Sequence, residues 1–275
     1  MLLSKIKKHF SLFSIQRQQN KTLKKMSLEK DTSLINIINA FNTIKSGLYD
    51  DEDLKAFQEC ETYRSYLLKN DSLVSYEIFG INKKTQVKDI CAKATSKSIW
   101  ARFLYLITKE LNNPSVLEIG TNLGISGSYI LEALKNKENS MFITMEGVPA
   151  LCDIASSQFK KITPAKKYVI HQGLYQSTFP KLLSNNTNFN LIFIDGNHKK
   201  NPTIQYFHEL KPCLIYPSIF IFDDINWSSE MQEAWRIIKS DKTVSYSIDM
   251  FKWGIVILNK LPANLQKHYR LHLSY

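Results

Sequence analysis

The chain has 275 residues, of which 44% are hydrophobic and 22% charged, a composition typical of a globular protein with one large domain or two small ones. No segment has the roughly 18 uninterrupted apolar residues that a transmembrane helix needs, and the four cysteines form no Cys-x-x-Cys pair, so we expect free thiols and a cytoplasmic location. The formal net charge is +11, and residues 1–30 hold eight basic residues against one acidic residue.

The basic arm, residues 1–30, spaces Leu2, Ile6, Phe10 and Phe13 like one face of a helix. It lacks the continuous apolar core and the cleavage site of a secretory signal. We expect a solvated helix or a loose tail. A weak contact with an anionic membrane surface or with nucleic acid stays open as an alternative.

The first hundred residues predict helices. Three segments have helical spacing or an acidic start suited to a helix N-terminus: residues 33–49, 50–70 and 96–111.

After Pro114 the pattern changes to short apolar runs that alternate with helical segments. The runs, which predict strands covered on both faces, are residues 115–120, 141–147, 167–173, 191–196 and 218–224. The helical segments are residues 126–136, 149–162, 202–214 and 228–238. This alternation indicates right-handed βαβ units and a parallel sheet. Two further runs, 243–250 and 253–259, are too close for a crossover helix and predict an antiparallel hairpin. The expected fold is therefore an α/β, Rossmann-like three-layer sandwich with a seven-stranded, mostly parallel sheet.

Polar residues follow the end of every predicted parallel strand. Ligands of open α/β sheets bind at the carboxyl ends of the strands. We therefore expect one site built from these residues: Glu118, Gly120, Glu146, Gly147, Gln172, Gly173, Asp195, Gly196, Asp223 and Asp224.

The first strand and turn, "VLEIGTNLG", favour one nucleotide cofactor over another. Gly120 and Gly124 allow a tight turn, but their G-x-x-x-G spacing is not the G-x-G-x-x-G pattern of dinucleotide binding. Glu118 in that turn would repel a pyrophosphate and would suit the ammonium group of a methionine moiety. Glu146, 26 residues after Gly120, can accept hydrogen bonds from ribose hydroxyls. S-adenosylmethionine is thus favoured over NAD.

Taken together, residues 98–260 resemble the class I S-adenosylmethionine-dependent methyltransferases. Within that class they are similar to metal-dependent O-methyltransferases of the catechol and macrocin types. They are still more similar to a bacterial group seen in Bacteroidetes that shares the strings "DGNH…PT…YF" and "FIFDDI.WS..M..AW". The resemblance divides the chain into a helical N-terminal region (1–97), a methyltransferase domain (98–260) and a C-terminal tail (261–275).

The resemblance implies the cofactor contacts. Ser126 would lie near the methionine carboxylate, and "QGLYQSTFPKL" would hold adenine with Gln176 at its edge. The full expected set is Glu118, Gly120, Thr121, Asn122, Gly124, Ser126, Glu146, Gly147, Leu174, Tyr175, Gln176 and Asp195.

The resemblance also implies a metal and a general base. Asp195, Asp223 and Asp224 would bind Mg²⁺, and His198 would join Asp195 in catalysis as the base. Three clustered carboxylates without a cation would repel each other, and Mg²⁺ can lower the pKa of a coordinated hydroxyl. One aspartate turned away to cap the next helix is the competing interpretation.

The expected function is Mg²⁺-assisted methyl transfer to a hydroxyl of a small-molecule acceptor. A metal-independent methyltransferase acting on a nitrogen or macromolecular acceptor and a nicotinamide-dependent oxidoreductase stay open. Nucleic acid is disfavoured as a partner because "DGNH" stands where an N-P-P-Y-type motif would be. A homodimer is compatible with the sequence.

Overall fold

The computed structural model describes residues 2–261 and 265–273, with side chains described from Leu12 onward. The expected helical face of Leu2, Ile6 and Phe10 concerns side chains outside the described part. No helix within the described residues is long and apolar enough to cross a membrane.

Helices dominate the first hundred residues and then alternate with strands. Their bounds are α1 Leu2–Ser27, α2 Thr32–Ser46, α3 Asp51–Leu67, α4 Val87–Ala94, α5 Ser98–Glu110, α6 Ile125–Leu134, α7 Pro149–Ile162, α8 Tyr175–Ser184, α9 Lys200–Leu210 and α10 Ser229–Lys239. The strand bounds are β1 Leu73–Ser75, β2 Lys84–Gln86, β3 Ser115–Ile119, β4 Met141–Glu146, β5 Tyr168–Gln172, β6 Phe189–Ile194, β7 Leu214–Phe222, β8 Tyr246–Asp249, β9 Gly254–Leu258 and β10 Lys267–Arg270.

The main sheet has the order β10-β8-β9-β7-β6-β3-β4-β5 among the described strands. Strands β3 to β7 run parallel, and β9 pairs antiparallel with both β7 and β8. The predicted parallel sheet and terminal hairpin are confirmed. Within residues 2–261 and 265–273 the sheet has eight strands instead of seven because β10 pairs in parallel with β8.

The sheet lies between two helical layers, so the three-layer prediction is confirmed. One apolar cluster joins the sheet to the helices that precede β5, and Trp100, Phe103 and Trp253 are fully buried in it. The other joins the opposite face to α8, α9 and α10 through residues such as Phe207 and Trp235. Strands covered on both faces explain why their sequences are continuously apolar.

The basic arm is not a loose tail from Leu12 onward. Leu12 and Met26 of α1 are buried, and Gln16 Nε2 lies 2.9 Å from His272 Nδ1. Glu29 accepts a 2.5 Å hydrogen bond from Lys267 Nζ of β10. Helix α1 therefore packs on the segment expected to be a tail, of which residues 262–264 and 274–275 lie outside the described part.

Candidate active site

Four adjacent strands bring their carboxyl ends to one edge of the sheet. β4, β3, β6 and β7 are neighbours in that order, and their ends line a cavity of about 450 Å³. Eleven of the residues expected from the sequence line it: Gly120, Thr121, Asn122, Ser126, Glu146, Tyr175, Asp195, Gly196, His198, Asp223 and Asp224. The structure therefore brings the expected metal, catalytic and most of the cofactor residues together.

Gly120 is required because two chain segments cross closely at the cavity floor. Its φ is +111°, and a Cβ atom there would lie 2.3 Å from the carbonyl oxygen of Asp195. The backbone of Asp195 is held in place by a 2.9 Å hydrogen bond from its N–H to the oxygen of Ile119. A side chain at position 120 would push the β3 and β6 ends apart.

Glu118 lies behind the cavity and not in its lining. It is fully buried, accepting a 2.5 Å hydrogen bond from Ser126 Oγ and a 2.7 Å hydrogen bond from Thr144 Oγ1. Burial raises the pKa of Glu118 to about 7, against the two hydroxyl donors that lower it. The predicted direct contact with a cationic ammonium group is not what this geometry shows; Glu118 holds Ser126 and Thr144 in place beneath the cavity.

Glu146 is held with its carboxylate at the border of two cavities. Its Oε2 accepts a 2.8 Å hydrogen bond from the N–H of Asn122, and its Oε1 accepts one of 2.9 Å from Val148. Burial raises the pKa of Glu146, against these backbone donors. Each carboxylate oxygen retains a lone pair for a further donor from the cavity.

The second cavity, of about 460 Å³, adjoins the first. Leu174, Gln176 and Gly147, expected at adenine or ribose, line it together with Tyr175 and Glu146. Gly124 lines neither cavity; with φ +73° it caps α6 and packs against Ala155.

Aromatic residues that the sequence did not single out line the first cavity. Tyr76 and Phe79, between the short strands β1 and β2, stack with ring centroids 6.5 Å apart and line the first cavity. Trp227 is 74% exposed and lines the same cavity. The N-terminal region thus contributes directly to the site.

Lys252 lines the first cavity and was not among the residues expected from the sequence. Its ammonium group donates to both oxygens of Asp223, at 2.5 and 2.8 Å, and to Asp224 Oδ1 at 2.9 Å. Burial acts to lower the pKa of Lys252, but the two aspartates outweigh it and the pKa is raised. The available signal was the hairpin itself, because a turn before β9 must lie beside the end of β7.

The aspartates as arranged do not fit Mg²⁺. We call Asp195, Asp223 and Asp224 the acidic cluster. Mg²⁺ needs oxygen ligands at about 2.0–2.1 Å in octahedral geometry, whereas the Lys252 ammonium group already lies among the oxygens of Asp223 and Asp224. Among residues 2–261 and 265–273, no group of three His, Cys, Asp or Glu side chains is placed to hold a metal ion.

His198, the predicted general base, lies beside the acidic cluster. Its Nε2 lies 3.6 Å from Asp195 Oδ1. Burial, and after it the neighbouring Asp223 carboxylate, raise the pKa of Asp195 well above its ordinary value. An imidazole next to a carboxyl group, both facing a cavity, is suited to accept a proton from a bound acceptor.

Comparison with known families and structures shows what this part of the chain is similar to. Residues 117–225, which contain the β3, β4, β5, β6 and β7 ends, match the family model described as a methyltransferase domain. This part of the chain is similar to a methyltransferase domain. A search of curated proteins by sequence finds no match.

Solved structures of methyltransferases resemble this chain in fold. The O-methyltransferase from Bacillus cereus in complex with S-adenosylhomocysteine is 17% identical, with a TM-score of 0.52 over 78% of this chain and 92% of that chain. TomG from Streptomyces achromogenes, an O-methyltransferase of tomaymycin synthesis bound to S-adenosylmethionine, is 17% identical, with a TM-score of 0.53 over 77% and 91%. The S-adenosylhomocysteine-bound Podospora anserina methyltransferase PaMTH1 is 15% identical, with a TM-score of 0.53 over 78% and 98%.

At these identities the structural likeness establishes the class I methyltransferase fold. The resemblance of the sequence to class I S-adenosylmethionine-dependent methyltransferases is confirmed. The narrower resemblance to catechol-type, macrocin-type or Bacteroidetes proteins stays a prediction.

Proposed function

We propose that this protein transfers a methyl group from S-adenosylmethionine to a hydroxyl of a small molecule. The observation that carries the proposal is the position of Glu146 in the methyltransferase domain. Its carboxylate is fixed by two backbone N–H groups and borders both cavities, so it can hold ribose hydroxyls between an adenine pocket and a reaction pocket.

The remaining residues divide the cofactor between the two cavities. Leu174 and Gln176 would contact adenine in the second cavity. Helix α6 begins at Ile125 beside the first cavity, and Gly124 provides no side chain to cap it. The methionine carboxylate would bind at this helix N-terminus next to Ser126, because free N–H groups and the helix dipole favour an anion. Both cavities fall within the size range of small-molecule sites.

When bound, S-adenosylmethionine supplies a methyl group attached to its sulfonium sulfur. The leaving group is S-adenosylhomocysteine, whose sulfur keeps the electron pair of the broken S–C bond. The protein has to orient the acceptor oxygen and remove its proton. His198 would take that proton as the new O–C bond forms, with the Asp195 carboxyl group beside the imidazole, 3.6 Å from its Nε2. Tyr76, Phe79 and Trp227 would enclose the acceptor and exclude water.

The Lys252 contacts favour a reaction without divalent metal over the Mg²⁺-assisted one expected from the sequence. No step of this mechanism passes through a metal ion. A nitrogen acceptor is the second candidate, since the same base and cavity would serve an amine. The match to a methyltransferase family weighs against the nicotinamide alternative.

The test is formation of S-adenosylhomocysteine by the full chain against panels of small phenols, sugars and amines, with EDTA present. We expect turnover with a hydroxylated acceptor and a loss of about 10²–10⁴-fold on His198→Ala. His208→Ala, on helix α9, is the matched control and should retain activity. Turnover confined to amines would replace the hydroxyl proposal with the second candidate. An unchanged rate in His198→Ala would remove the histidine from its assigned role.

A further inference from the structure

Lys252 is directed at the acidic cluster by a turn that several hydrogen bonds hold. The turn between β8 and β9 is closed by a 2.8 Å bond from the N–H of Met250 to the oxygen of Trp253. Asn226 Nδ2 donates to the oxygen of Phe251 at 2.7 Å, and the N–H of Ile225 donates to the oxygen of Lys252 at 3.1 Å. These last two bonds join the turn to the loop that follows Asp223 and Asp224, so the lysine and the aspartates are positioned together.

The contacts of the ammonium group use its full donor capacity. A lysine ammonium has three N–H donors, and three aspartate oxygens lie within 2.5–2.9 Å of Lys252 Nζ. Asp223 is buried, so an unpaired negative charge there would be costly. Asp224 adopts φ +51°, a left-handed conformation uncommon outside glycine, and its carboxylate nevertheless reaches the same lysine.

An ammonium nitrogen and a divalent ion cannot share this position. An ion bound to the Asp223 and Asp224 oxygens would have to displace Lys252 from all three of its hydrogen bonds. The displaced cation would still be tethered to the adjacent hairpin and would repel the ion. At an effective dielectric of about 20, repulsion between charges several ångströms apart lowers affinity by more than about tenfold.

We propose that the ammonium group of Lys252 is the resident cation of the acidic cluster and stands in place of a divalent metal. Lys252 is a positioning residue: its hydrogen bonds hold the side chains of Asp223 and Asp224 in the cavity wall. Its consequence, methyl transfer without divalent metal, rests on the proposed function, but occupation of the cluster by lysine does not. Removing the lysine side chain should therefore create a metal site that the natural chain lacks.

The experiment titrates Mn²⁺ into full-length protein and follows free Mn²⁺ by electron paramagnetic resonance. The natural chain should show no stoichiometric site, whereas Lys252→Ala should bind one Mn²⁺ per chain at least about tenfold more tightly. Lys199→Ala removes the same charge from an exposed position near His198 and should behave as the natural chain does. Stoichiometric binding of Mn²⁺ by the natural chain, or equal affinity in the two alanine variants, would overturn the proposal.

If Lys252→Ala does not fold, two other measurements still test the proposal. The natural chain can be titrated regardless of the variant. Lys252→Met, which keeps most of the side-chain volume, should show a thermal midpoint that rises with Mn²⁺ while that of the natural chain does not; no rise in Lys252→Met would count against the proposal. S-adenosylhomocysteine is titrated into the same samples. If S-adenosylhomocysteine does not bind, the proposed function is wrong, whereas the Mn²⁺ titrations still test whether Lys252 occupies the acidic cluster.

Discussion

Replacement of Glu118 by glutamine should change how the stability of the protein depends on pH. Glu118 is fully buried, and burial raises its pKa to about 7 from an ordinary value of 4.5. A raised folded-state pKa means that the native protein binds this proton more tightly than the unfolded chain. The stabilising contribution is therefore complete below the ordinary pKa and is lost as the pH rises toward 7.

The magnitude follows from the size of that pKa difference. Each pKa unit corresponds to about 1.4 kcal/mol, so ionising buried Glu118 costs about 3 kcal/mol in full. Because part of this loss has already occurred at about pH 5, the change between about pH 5 and about pH 8 is about 2–3 kcal/mol. Glutamine at position 118 keeps the shape and can still hydrogen bond to Ser126 and Thr144, but it has no proton to lose.

Urea unfolding of both proteins at these two pH values measures the effect. The free energy of unfolding of the natural chain, relative to Glu118→Gln, should fall by about 2–3 kcal/mol on going to the higher pH. Glu138→Gln, at an exposed position, is the matched control and should show no such gap. If the difference in free energy of unfolding between the natural chain and Glu118→Gln is the same at both pH values, Glu118 is ionised over this whole pH range. Its charge could then act on a cofactor ammonium group, as the sequence alone suggests.

Three further changes probe the cofactor cradle and the N-terminal helix. Glu146→Gln should weaken S-adenosylhomocysteine binding by about 10–100-fold in calorimetry, because hydrogen bonds to a charged acceptor contribute about 1.5–3 kcal/mol; a change within about threefold, no larger than for Glu138→Gln, would contradict the ribose assignment. Gly120→Ala should destabilise the protein by more than about 2 kcal/mol in urea, since it combines an unfavourable φ with a clash against Asp195; near-natural stability would show that β3 and β6 do not approach so closely. Deletion of residues 1–27 should lower the thermal midpoint because it exposes the partners of Leu12 and Met26, and an unchanged midpoint would restore the loose-tail interpretation.

The strands and their ends were predictable because burial on both faces leaves a continuous apolar sequence. Each of β3, β4, β5, β6 and β7 overlaps its predicted run, and the order in the sheet brings Glu146, Asp195 and Asp223 to one edge. Strand ends can be located along a chain without knowing side-chain contacts. For this reason, most of the residues that line the cavity could be predicted from the sequence.

The elements that were missed have weak local signals. Strands β2 and β10 read "KTQ" and "KHYR", and their pairing depends on neighbours distant in the chain. Helix α8 contains Pro180, which argues against a helix when only the sequence is considered. The packing of α1 on β10 is also a long-range contact, so its basic residues resemble a free tail.

The contacts of the individual site residues could not be predicted, because the sequence does not show in which direction each side chain points. Glu118 and Glu146 are both acids near strand ends, yet one is directed into a buried network with Ser126 and the other borders the cavities. The pairing of Lys252 with Asp223 arises because the hairpin turn lies beside the end of β7, a relation set by strand register. The Mg²⁺ site that the resemblance implies took no account of the Lys252 ammonium group, which the fold brings to Asp223 and Asp224.

Calorimetric titration of the full-length protein with S-adenosylhomocysteine and, separately, with NADH tests the central assignment most directly. The architecture of the cradle predicts one S-adenosylhomocysteine bound per chain, in competition with S-adenosylmethionine, and far weaker binding of NADH. Tighter binding of NADH, or no heat of binding with S-adenosylhomocysteine, would contradict the assignment.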